Sequence, residues 1–295
     1  MDIIYRILGE ILRFIYGFTN NFGWAIVIFT ILVRLLLLPL TVKQQSSMDN
    51  MQKIQPELNA LQKKYQNDKD KLNEETMKLY QKYNVNPMGG CLPLLIQMPI
   101  LFAIYGVIQN PITYVLKQTP SVEVLTALCQ KPTNTQLDVV AFVTNYMDKA
   151  SEALQNAGLT FDLNSLVVNF DFLGLNLGYT PQANNGNYFL YLIPVLSILT
   201  SFLVNKVSQS QQKKDSKQNE QANQMQTMQY IFPFMTGYFC YILPSAMGLY
   251  WIMGNILQIV QTYALRLIKK NPAEDALVVE PEKNNGVNNK NKKKK

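Results

Sequence analysis

Residues 22–41 read FGWAIVIFTILVRLLLLPLT, and this stretch decides the fold. It is long enough to cross a lipid bilayer as a helix, which needs about 20 consecutive apolar residues. Its one charged residue, Arg34, lies well inside the stretch. An arginine at that depth costs about 2.5–3.5 kcal/mol on insertion scales, so its presence indicates a function. We predict a first transmembrane helix that carries a functional arginine.

Two interpretations of Arg34 stay open. The side chain could snorkel toward Thr41, seven residues away, which is roughly 10 Å at the rise of a helix. Alternatively, it lies in a hydrated site, where water or a visiting ligand is its partner. No aspartate or glutamate occurs in the other apolar stretches, so the charge has no built-in partner, and we favour the hydrated site.

The composition argues against an enzyme. The chain has 295 residues, 48% of them hydrophobic, and contains no histidine. This excludes Ser-His-Asp and Cys-His nucleophile pairs as well as HExxH metal sites. The three cysteines, Cys91, Cys129 and Cys240, are far apart, and no GxxxxGK[ST] phosphate-binding loop occurs. We therefore expect no cofactor, no bound metal and no catalytic residues.

Apolar and polar segments alternate along the chain, and the alternation predicts an all-α membrane protein that crosses the bilayer five times. We predict transmembrane helices over 22–42, 87–115 and 188–205, and a fourth and a fifth over 229–265. On the extracellular side we predict an interfacial amphipathic helix over 1–21 and a segment over 116–187. On the cytoplasmic side we predict a helical hairpin over 43–86, a loop over 206–228 and a basic tail over 266–295.

Several segments carry more detailed signals. The N-terminal stretch could instead be a signal peptide, but acidic residues interrupt it and no small-x-small cleavage site follows. In the hairpin, residues 67–70 predict the turn between two helices, and Pro56 should kink the first helix or mark a restart. The extracellular segment should hold one amphipathic helix over 137–154 and a β-prone piece over 166–177.

The last apolar stretch is too long for one straight span. Residues 230–265 are 36 residues without a charge, and a helix of that length would extend roughly 54 Å across a core of about 30 Å. Residues 243–248, LPSAMG, offer a turn in the middle. The stretch therefore predicts two short spans.

The distribution of charge predicts the orientation. The hairpin, the 206–226 loop and the tail all carry more Lys and Arg than acidic residues, whereas residues 116–187 carry three lysines against six acidic residues. Cytoplasmic segments of membrane proteins are enriched in Lys and Arg. An extracellular N-terminus and a cytoplasmic C-terminus satisfy this rule.

Polar residues recur at helical spacing within the predicted spans. Each could hydrogen-bond a neighbouring helix, but stripes on several helices together with an unpaired arginine favour a shared hydrated cavity. With no acidic residue in the spans and no detectable repeat, a one-sided groove fits better than a gated transport pathway. The candidate substrate-groove residues are Thr30, Arg34, Gln97, Tyr105, Ser197, Thr200, Ser201, Trp251, Asn255 and Gln258.

From residue 22 to about 270, the sequence resembles the YidC-type membrane protein insertases of the YidC/Oxa/Alb superfamily. Residues 86–93 (NPMGGCLP) with Gln97 and Tyr105 are similar to the second-span motif of that family. Residues 248–251 (GLYW) with Asn255 are similar to its last-span motif, and residues 172–175 (FLGL) occur in the expected place. Each motif alone is modest, but their order and spacing together are specific.

The resemblance implies five spans around a hydrophilic groove that opens to the cytoplasm and to lipid. It implies that Arg34 attracts acidic residues in the outer segments of small, newly made membrane proteins, and that the hairpin helps to recruit them. It also implies ribosome contact by the basic tail, possible cooperation with the Sec translocon, and location in the plasma membrane of a Gram-positive type of bacterium. Because no cysteine precedes Cys91, we do not expect an N-terminal lipid anchor.

Three functions stay open. We favour a membrane protein insertase and chaperone, in which a hydrated groove shortens the dry distance that a polar segment must cross. A structural assembly factor without translocation activity is the alternative, and a small-solute transporter is a weaker one. The basic tail could equally serve only to keep the C-terminus inside the cell.

Overall fold

The computed structural model describes residues 2–83, 85, 92–129, 135–183, 186–209 and 220–269, and these are mostly helical. The helices are α1 (Asp2–Thr19), α2 (Phe22–Leu36), α3 (Leu38–Lys64), α4 (Lys69–Lys82), α5 (Leu92–Gln109), α6 (Val122–Leu128), α7 (Gln136–Asn145), α8 (Met147–Asn156), α9 (Leu192–Gln209), α10 (Glu220–Ile242) and α11 (Ser245–Lys269). Two short strands, β1 (Asp171–Phe172) and β2 (Leu175–Asn176), form an antiparallel hairpin. The predicted all-α class is therefore confirmed apart from this hairpin.

The deciding stretch is bent, which corrects the prediction of one straight helix over 22–42. The first part, α2, ends at Leu36, and α3 begins at Leu38 at an angle of 60° to it. Pro39 lies in the first turn of α3, where a helix has no use for the amide hydrogen that proline lacks. The same proline cannot continue the hydrogen bonding of α2, so the helix breaks there.

The predicted hairpin of residues 43–86 is built from α3 and α4. The turn follows Lys64, and the side chain of Asp68 accepts a hydrogen bond from the Lys71 amide as α4 begins. Pro56 lies inside α3, which runs from Leu38 to Lys64, so of the kink or restart predicted at this position the restart is wrong, and the kink stays a prediction. A small core holds the two helices together, formed by Ile54, Leu58, Leu79 and Val85.

The N-terminal helix is amphipathic, but only part of its apolar face meets the protein. Leu12 and Ile15 are buried in the main core, whereas Ile4 and Ile7 are exposed. The helix lies so close to the turn after α5 that a methyl group at Gly9 would lie 2.9 Å from Cβ of Tyr114. It therefore packs against α2 and α5, and its predicted contact with the membrane interface stays a prediction.

The segment over 116–187 packs into the main core. The helix predicted over 137–154 is two helices, α7 and α8, because the backbone leaves the helical conformation at Tyr146. The predicted β-prone piece contains β1 and β2, in which Asp171 pairs with Asn176. Leu128, Val140, Val143 and Leu166, among others, are fully buried between these elements.

The C-terminal helices pack around α9, which contacts both α10 and α11 extensively. The break predicted in residues 243–248 is present between Ile242 and Ser245. The polar loop predicted over 206–228 is shorter than expected, because α9 extends to Gln209 and α10 begins at Glu220. Residues 210–219, the motif over 86–91 including Cys91, and the tail over 270–295 lie outside the described residues.

Within the part of the chain that the structure describes, one helix is long and apolar enough to cross a membrane on its own, over Tyr188–Ser208. The bent pair Phe22–Leu36 and Leu38–Ser47 meets the same criteria when it is taken as one span. Residues Gln97–Gln109 form a shorter apolar helix. The count of five spans and the side of the membrane on which each segment lies stay predictions.

Candidate functional site

Arg34 lies in the last turn of α2 and faces α11. A methyl group built on Gly254 would lie 3.2 Å from Nη2 of Arg34, so the guanidinium rests directly against the backbone of α11. Among the described residues, no carboxylate is within ion-pairing distance of Arg34. That this charge has no acidic partner in the other apolar stretches stays a prediction.

The same face of α11 carries a tyrosine. Tyr250 is buried, and its hydroxyl accepts a hydrogen bond of 2.8 Å from Nε2 of Gln97 on α5. Because Tyr250 and Gly254 are four residues apart on one helix, they share one side of it. We call Arg34, Gln97, Tyr250 and Gly254 the arginine site. It is formed where α2, α5 and α11 meet.

Thr30 lies one helical turn before Arg34 and is almost fully buried. Its hydroxyl donates a hydrogen bond of 2.6 Å to the carbonyl oxygen of Ile26 in its own helix. Serine and threonine often bond the preceding turn in this way when they lie inside a helix. In this conformation the Thr30 hydroxyl is occupied by the backbone.

Three other predicted groove residues are partly buried. Tyr105 packs against the main core, and the ring of Trp251 lies 6.5 Å from that of Phe232 on α10. The backbone carbonyl of Gln258 accepts a hydrogen bond from the Thr262 hydroxyl. These contacts do not join the three residues to the arginine site.

The remaining four predicted residues meet in one buried cluster between α9, α10 and α11. Asn255 donates two hydrogen bonds of 3.0 Å through Nδ2, one to Oγ1 of Thr200 and one to Oγ of Ser201. The Ser201 hydroxyl lies 3.4 Å from that of Thr236 on α10. Nearby, Sγ of Cys240 donates to Oγ of Ser197 at 3.3 Å. We call these six residues the polar cluster.

All six side chains of the polar cluster are buried. Their hydrogen-bonding groups are used by one another or by backbone carbonyls, as in the bond of 2.7 Å from the Thr236 hydroxyl to Pro233. This is how polar side chains join helices inside a membrane protein. The ten predicted residues therefore divide, and Ser197, Thr200, Ser201 and Asn255 fit the helix-contact interpretation better than a hydrated cavity.

The sequence interpretation missed three contributors. Tyr250 was part of a quoted motif but was not assigned a place in the groove, and Gly254 gave no polar signal. Gln261 donates a hydrogen bond of 2.6 Å to the hydroxyl of Thr41 in the first turn of α3. Their polarity or small size was visible in the sequence, but their partners are more than 150 residues away and leave no local pattern.

The segment over 116–187 is hydrogen-bonded to the starts of α2 and α11. The amide of Phe22 donates a hydrogen bond of 2.9 Å to the carbonyl of Asn169, and Asn21 Nδ2 donates one of 2.6 Å to that of Asp171. On the other side, the amide of Ala246 donates to the carbonyl of Leu177 at 3.0 Å. Residues 169–177 thus connect the start of α2 to the start of α11.

The described residues contain no group of three or more Cys, Asp or Glu side chains that could hold a metal ion. The arrangement of the arginine site instead provides one positive charge and an amide–phenol pair between three helices. Such groups can bind anionic or polar groups.

Comparison with known proteins identifies the family to which the chain is similar. The family model described as 60Kd inner membrane protein matches residues 14–272. A membrane protein insertase YidC of Fusobacterium nucleatum is 32% identical over 267 residues, which cover 89% of this chain and 97% of that protein. A membrane protein insertase YidC of Clostridium perfringens is 35% identical over 273 residues, with 88% of each chain covered.

One solved structure is also similar, described as an active YidC insertase crystal structure with the first transmembrane domain resolved. The sequences are 26% identical, and the superposition has a TM-score of 0.46. It covers 89% of this chain and 46% of the other.

Proposed function

Because the chain belongs to the 60Kd inner membrane protein family, that of the YidC-type insertases, we propose that it inserts small membrane proteins into the plasma membrane. In this proposal Arg34 attracts acidic residues in the outer segment of the substrate. The observation that carries the role of Arg34 is its position between α2 and α11 without a carboxylate among the described residues at ion-pairing distance. A charge so placed is available to a visiting group.

The magnitude of the attraction is adequate. At 4–6 Å and an effective dielectric constant of 20, an arginine and a carboxylate attract one another by about 3–4 kcal/mol. This offsets part of the cost of moving a polar segment into the bilayer, where each unpaired polar group costs several kcal/mol. The apolar segment of the substrate then moves into lipid, driven by burial of its surface, and the chain needs no nucleotide hydrolysis for this step.

Two contacts support the proposed arrangement of five spans, in which the first and the fifth run in the same direction. Arg34 lies beside Gly254, and Thr41 is bonded to Gln261. Thr41 follows Arg34 by seven residues, and Gln261 follows Gly254 by seven residues. The first stretch and α11 therefore run side by side in the same direction. The first and fifth spans of a five-span protein must do the same, because consecutive spans alternate in direction.

The proposal assigns different work to the two groups of polar residues. The arginine site serves the substrate, with Gln97 and Tyr250 fixing the position of α5 against α11 beside the charge. Tyr105, Trp251, Gln258 and Thr30 are proposed to line the remainder of a groove. The polar cluster holds α9, α10 and α11 in register and has no direct part in substrate binding.

The proposed partners follow from the same chemistry. Substrates are newly made membrane proteins with acidic outer segments, and the lipid bilayer receives them. The lysine-rich tail is proposed to contact the ribosome, because clustered lysines bind phosphate through release of counterions. Cooperation with the Sec translocon is a further proposal that rests on the family resemblance alone.

The test is insertion of a small membrane protein with an acidic outer tail, in cells depleted of the native copy and supplied with variants. Arg34→Lys should keep much of the activity, because the requirement is for a positive charge, although lysine is more strongly hydrated and cannot bind a carboxylate through two nitrogens. Arg34→Ala and Arg34→Glu should fail. Arg6→Ala, an exposed arginine on α1, is the matched control and should behave as wild type.

A second arm changes the substrate. When its acidic tail residues are neutralised, dependence on Arg34 should fall. If Arg34→Ala inserts the acidic substrate as well as wild type does, or if neutralisation leaves the dependence unchanged, the electrostatic mechanism is wrong. The first outcome would favour an assembly factor that packs helices without moving polar segments across the bilayer. Solute flux in reconstituted vesicles would favour a transporter.

A further inference from the structure

The turn of the β-hairpin carries a residue that neither local conformation nor packing explains. Leu173 and Gly174 have φ angles of 53° and 78°. Two successive positive φ angles in a two-residue turn favour asparagine, aspartate or glycine, because Cβ of other residues is crowded there. Leu173 is also 82% exposed, so no contact within the protein offsets this conformational cost.

Contacts of the two residues on either side of this leucine bring aromatic residues near the turn. On one side, the ring of Trp24 lies 5.3 Å from that of Phe172, and Trp24 remains 51% exposed. On the other, Nδ2 of Asn187 donates a hydrogen bond of 3.2 Å to the carbonyl of Gly174. This bond holds the following residues, Tyr188 and Phe189, beside the turn.

Tyr188 and Phe189 are 75% and 69% exposed, although they are large and partly apolar. Together with Trp24 and Leu173 they form one surface, which we call the aromatic rim. None of its four members is charged. Tryptophan and tyrosine are enriched where a membrane protein meets the boundary between lipid headgroups and acyl chains, because their rings are amphipathic.

The aromatic rim is continuous with the segment that is long and apolar enough to span a membrane, over Tyr188–Ser208. Its exposed face carries Leu192, Val195, Leu196, Leu199 and Leu203. The rim thus lies at the end of an apolar segment of 21 residues, which at helical rise extends about 30 Å, the thickness of a bilayer core. A surface that joins such a segment and consists of Trp, Tyr, Phe and Leu matches the chemistry of the lipid interface.

We propose that the aromatic rim is a membrane contact site, in which the hairpin turn inserts Leu173 into the headgroup–acyl boundary of the bilayer. The occupant of this surface is lipid and not another protein. Contact with lipid supplies the burial that Leu173 lacks within the chain and explains why a leucine occupies a position that suits glycine or asparagine. The site fixes the segment over 116–187, and through Asn169 and Asp171 the start of α2, relative to the membrane surface.

This proposal requires the chain to lie in a membrane but does not depend on Arg34 or on insertion activity. It therefore needs a physical measurement and not an assay of function. The chain contains only two tryptophans, Trp24 and Trp251, so replacing both with phenylalanine gives a background without tryptophan fluorescence. Single tryptophans are then introduced into the full-length protein, and each variant is reconstituted into phosphatidylcholine–phosphatidylglycerol vesicles that contain brominated lipids.

Leu173→Trp is the reporter, and Tyr188→Trp is a second reporter outside the strained turn. Leu199→Trp, on the exposed face of α9, reports the acyl chains, and Asn156→Trp, exposed at the end of α8, reports water. Quenching of both rim reporters should exceed that at position 156 by roughly twofold or more, and should be strongest with bromine near the headgroups, where interfacial aromatic residues lie. Quenching at position 199 should be strongest with deep bromines.

Each contrary outcome overturns the proposal in a distinct way. If positions 173 and 188 are quenched no more than position 156 while position 199 is quenched, the chain is in the membrane but the aromatic rim does not touch it. If position 156 is quenched as strongly as the rim, lipid covers the whole segment and the rim is not a specific contact. If position 199 is not quenched, the apolar segment does not face lipid, and the continuity on which the proposal rests is lost.

Discussion

The guanidinium of Arg34 and the backbone of Gly254 are in direct contact, with only 3.2 Å between Nη2 and the position that a Cβ would occupy. Glycine therefore does more than permit close packing of α2 and α11, because it leaves room for the one charged side chain of the first apolar stretch. Polarity patterns cannot reveal such a residue, since its contribution is the absence of a side chain.

We expect Gly254→Leu to impair insertion of acidic-tailed substrates, because the leucine must displace the guanidinium. Gly254→Ala should have a small effect, since the contact involves the mobile end of the arginine and a shift of a few tenths of an ångström relieves it. Gly17→Leu is the matched control, because a Cβ at exposed Gly17 meets nothing within 4 Å. Equal activity of Gly254→Leu and Gly17→Leu would contradict the assignment of the arginine site.

A substitution in the polar cluster should lower the stability of the protein and leave substrate binding unchanged. Asn255→Leu removes two hydrogen bonds between helices and leaves the Thr200 and Ser201 hydroxyls with fewer partners. At about 0.6 kcal/mol per bond inside membrane proteins, the free energy of unfolding in detergent should fall by about 1–2 kcal/mol. Insertion by the protein that remains folded should change little.

Thr262→Val is the control for this experiment, because within the described part of the chain the buried Thr262 hydroxyl bonds the Gln258 carbonyl of its own helix and no other helix. It should cost less stability than Asn255→Leu. If Asn255→Leu abolishes insertion without lowering stability, the polar cluster belongs to the substrate groove after all, as the sequence interpretation first held.

How far the sequence predicted this structure depended on whether a signal was local. The break before Ser245 and the turn after Lys64 were predicted because proline, glycine and polar residues mark them within a few positions. The bend at Leu37 was missed, although Pro39 is a local signal for it, because the apolar residues of 22–41 continue on both sides of the bend. Pro39 lies in the first turn of the new helix.

The candidate site shows the same division. Helical spacing correctly singled out Asn255, Thr200 and Ser201 as polar residues inside apolar helices, but it could not show that they bond one another. The partner of Gln97 is 153 positions away. Partners at that distance are set by how the helices pack together, and a single sequence contains no signal for that choice.

Acidic pH should weaken the contact between α1 and the segment over 116–187. Lys117 lies against Glu10, and its hydrogen bond and charge hold the pKa of that carboxyl below its usual range. A carboxyl whose pKa is lower in the folded state contributes stability above its unfolded pKa, and this stability is lost as pH falls through the folded pKa. The loss should therefore occur below about pH 4.5.

The measurement is the difference in thermal midpoint between wild type and Glu10→Gln at several pH values. The difference should be small because both side chains are solvent-exposed. The difference in thermal midpoint should be constant from neutral pH to about pH 5 and should fall to zero as Glu10 is protonated below that. A difference that persists unchanged at pH 3 would show that the ion pair is not its cause.

Gly23 should not tolerate a methyl group. Its position is filled by Phe172, and an added Cβ would overlap the ring and come within 2.6 Å of Cβ of that residue. Alanine usually stabilises a helix relative to glycine by about 1 kcal/mol, but here overpacking should lower the free energy of unfolding by about 1–3 kcal/mol.

Gly17→Ala on α1 should change the free energy of unfolding in the opposite direction, because nothing lies within 4 Å of a Cβ there. It should raise stability slightly, whereas Gly23→Ala should lower it. If both substitutions are stabilising, Phe172 moves aside without cost, and the β-hairpin is not held firmly against the start of α2.

The bond between Asn21 and the Asp171 carbonyl joins residues 150 positions apart. It cannot form until residue 171 has been synthesised. At a synthesis rate of about 5–20 residues per second, the first apolar helix waits roughly 8–30 s for the strand that fastens its start. The contact of Thr41 with Gln261, 220 positions later, must wait longer still. During that interval Arg34 has no α11 beside it. A newly made copy is then itself an unfinished membrane protein that exposes a charge in an apolar helix until α11 has been synthesised.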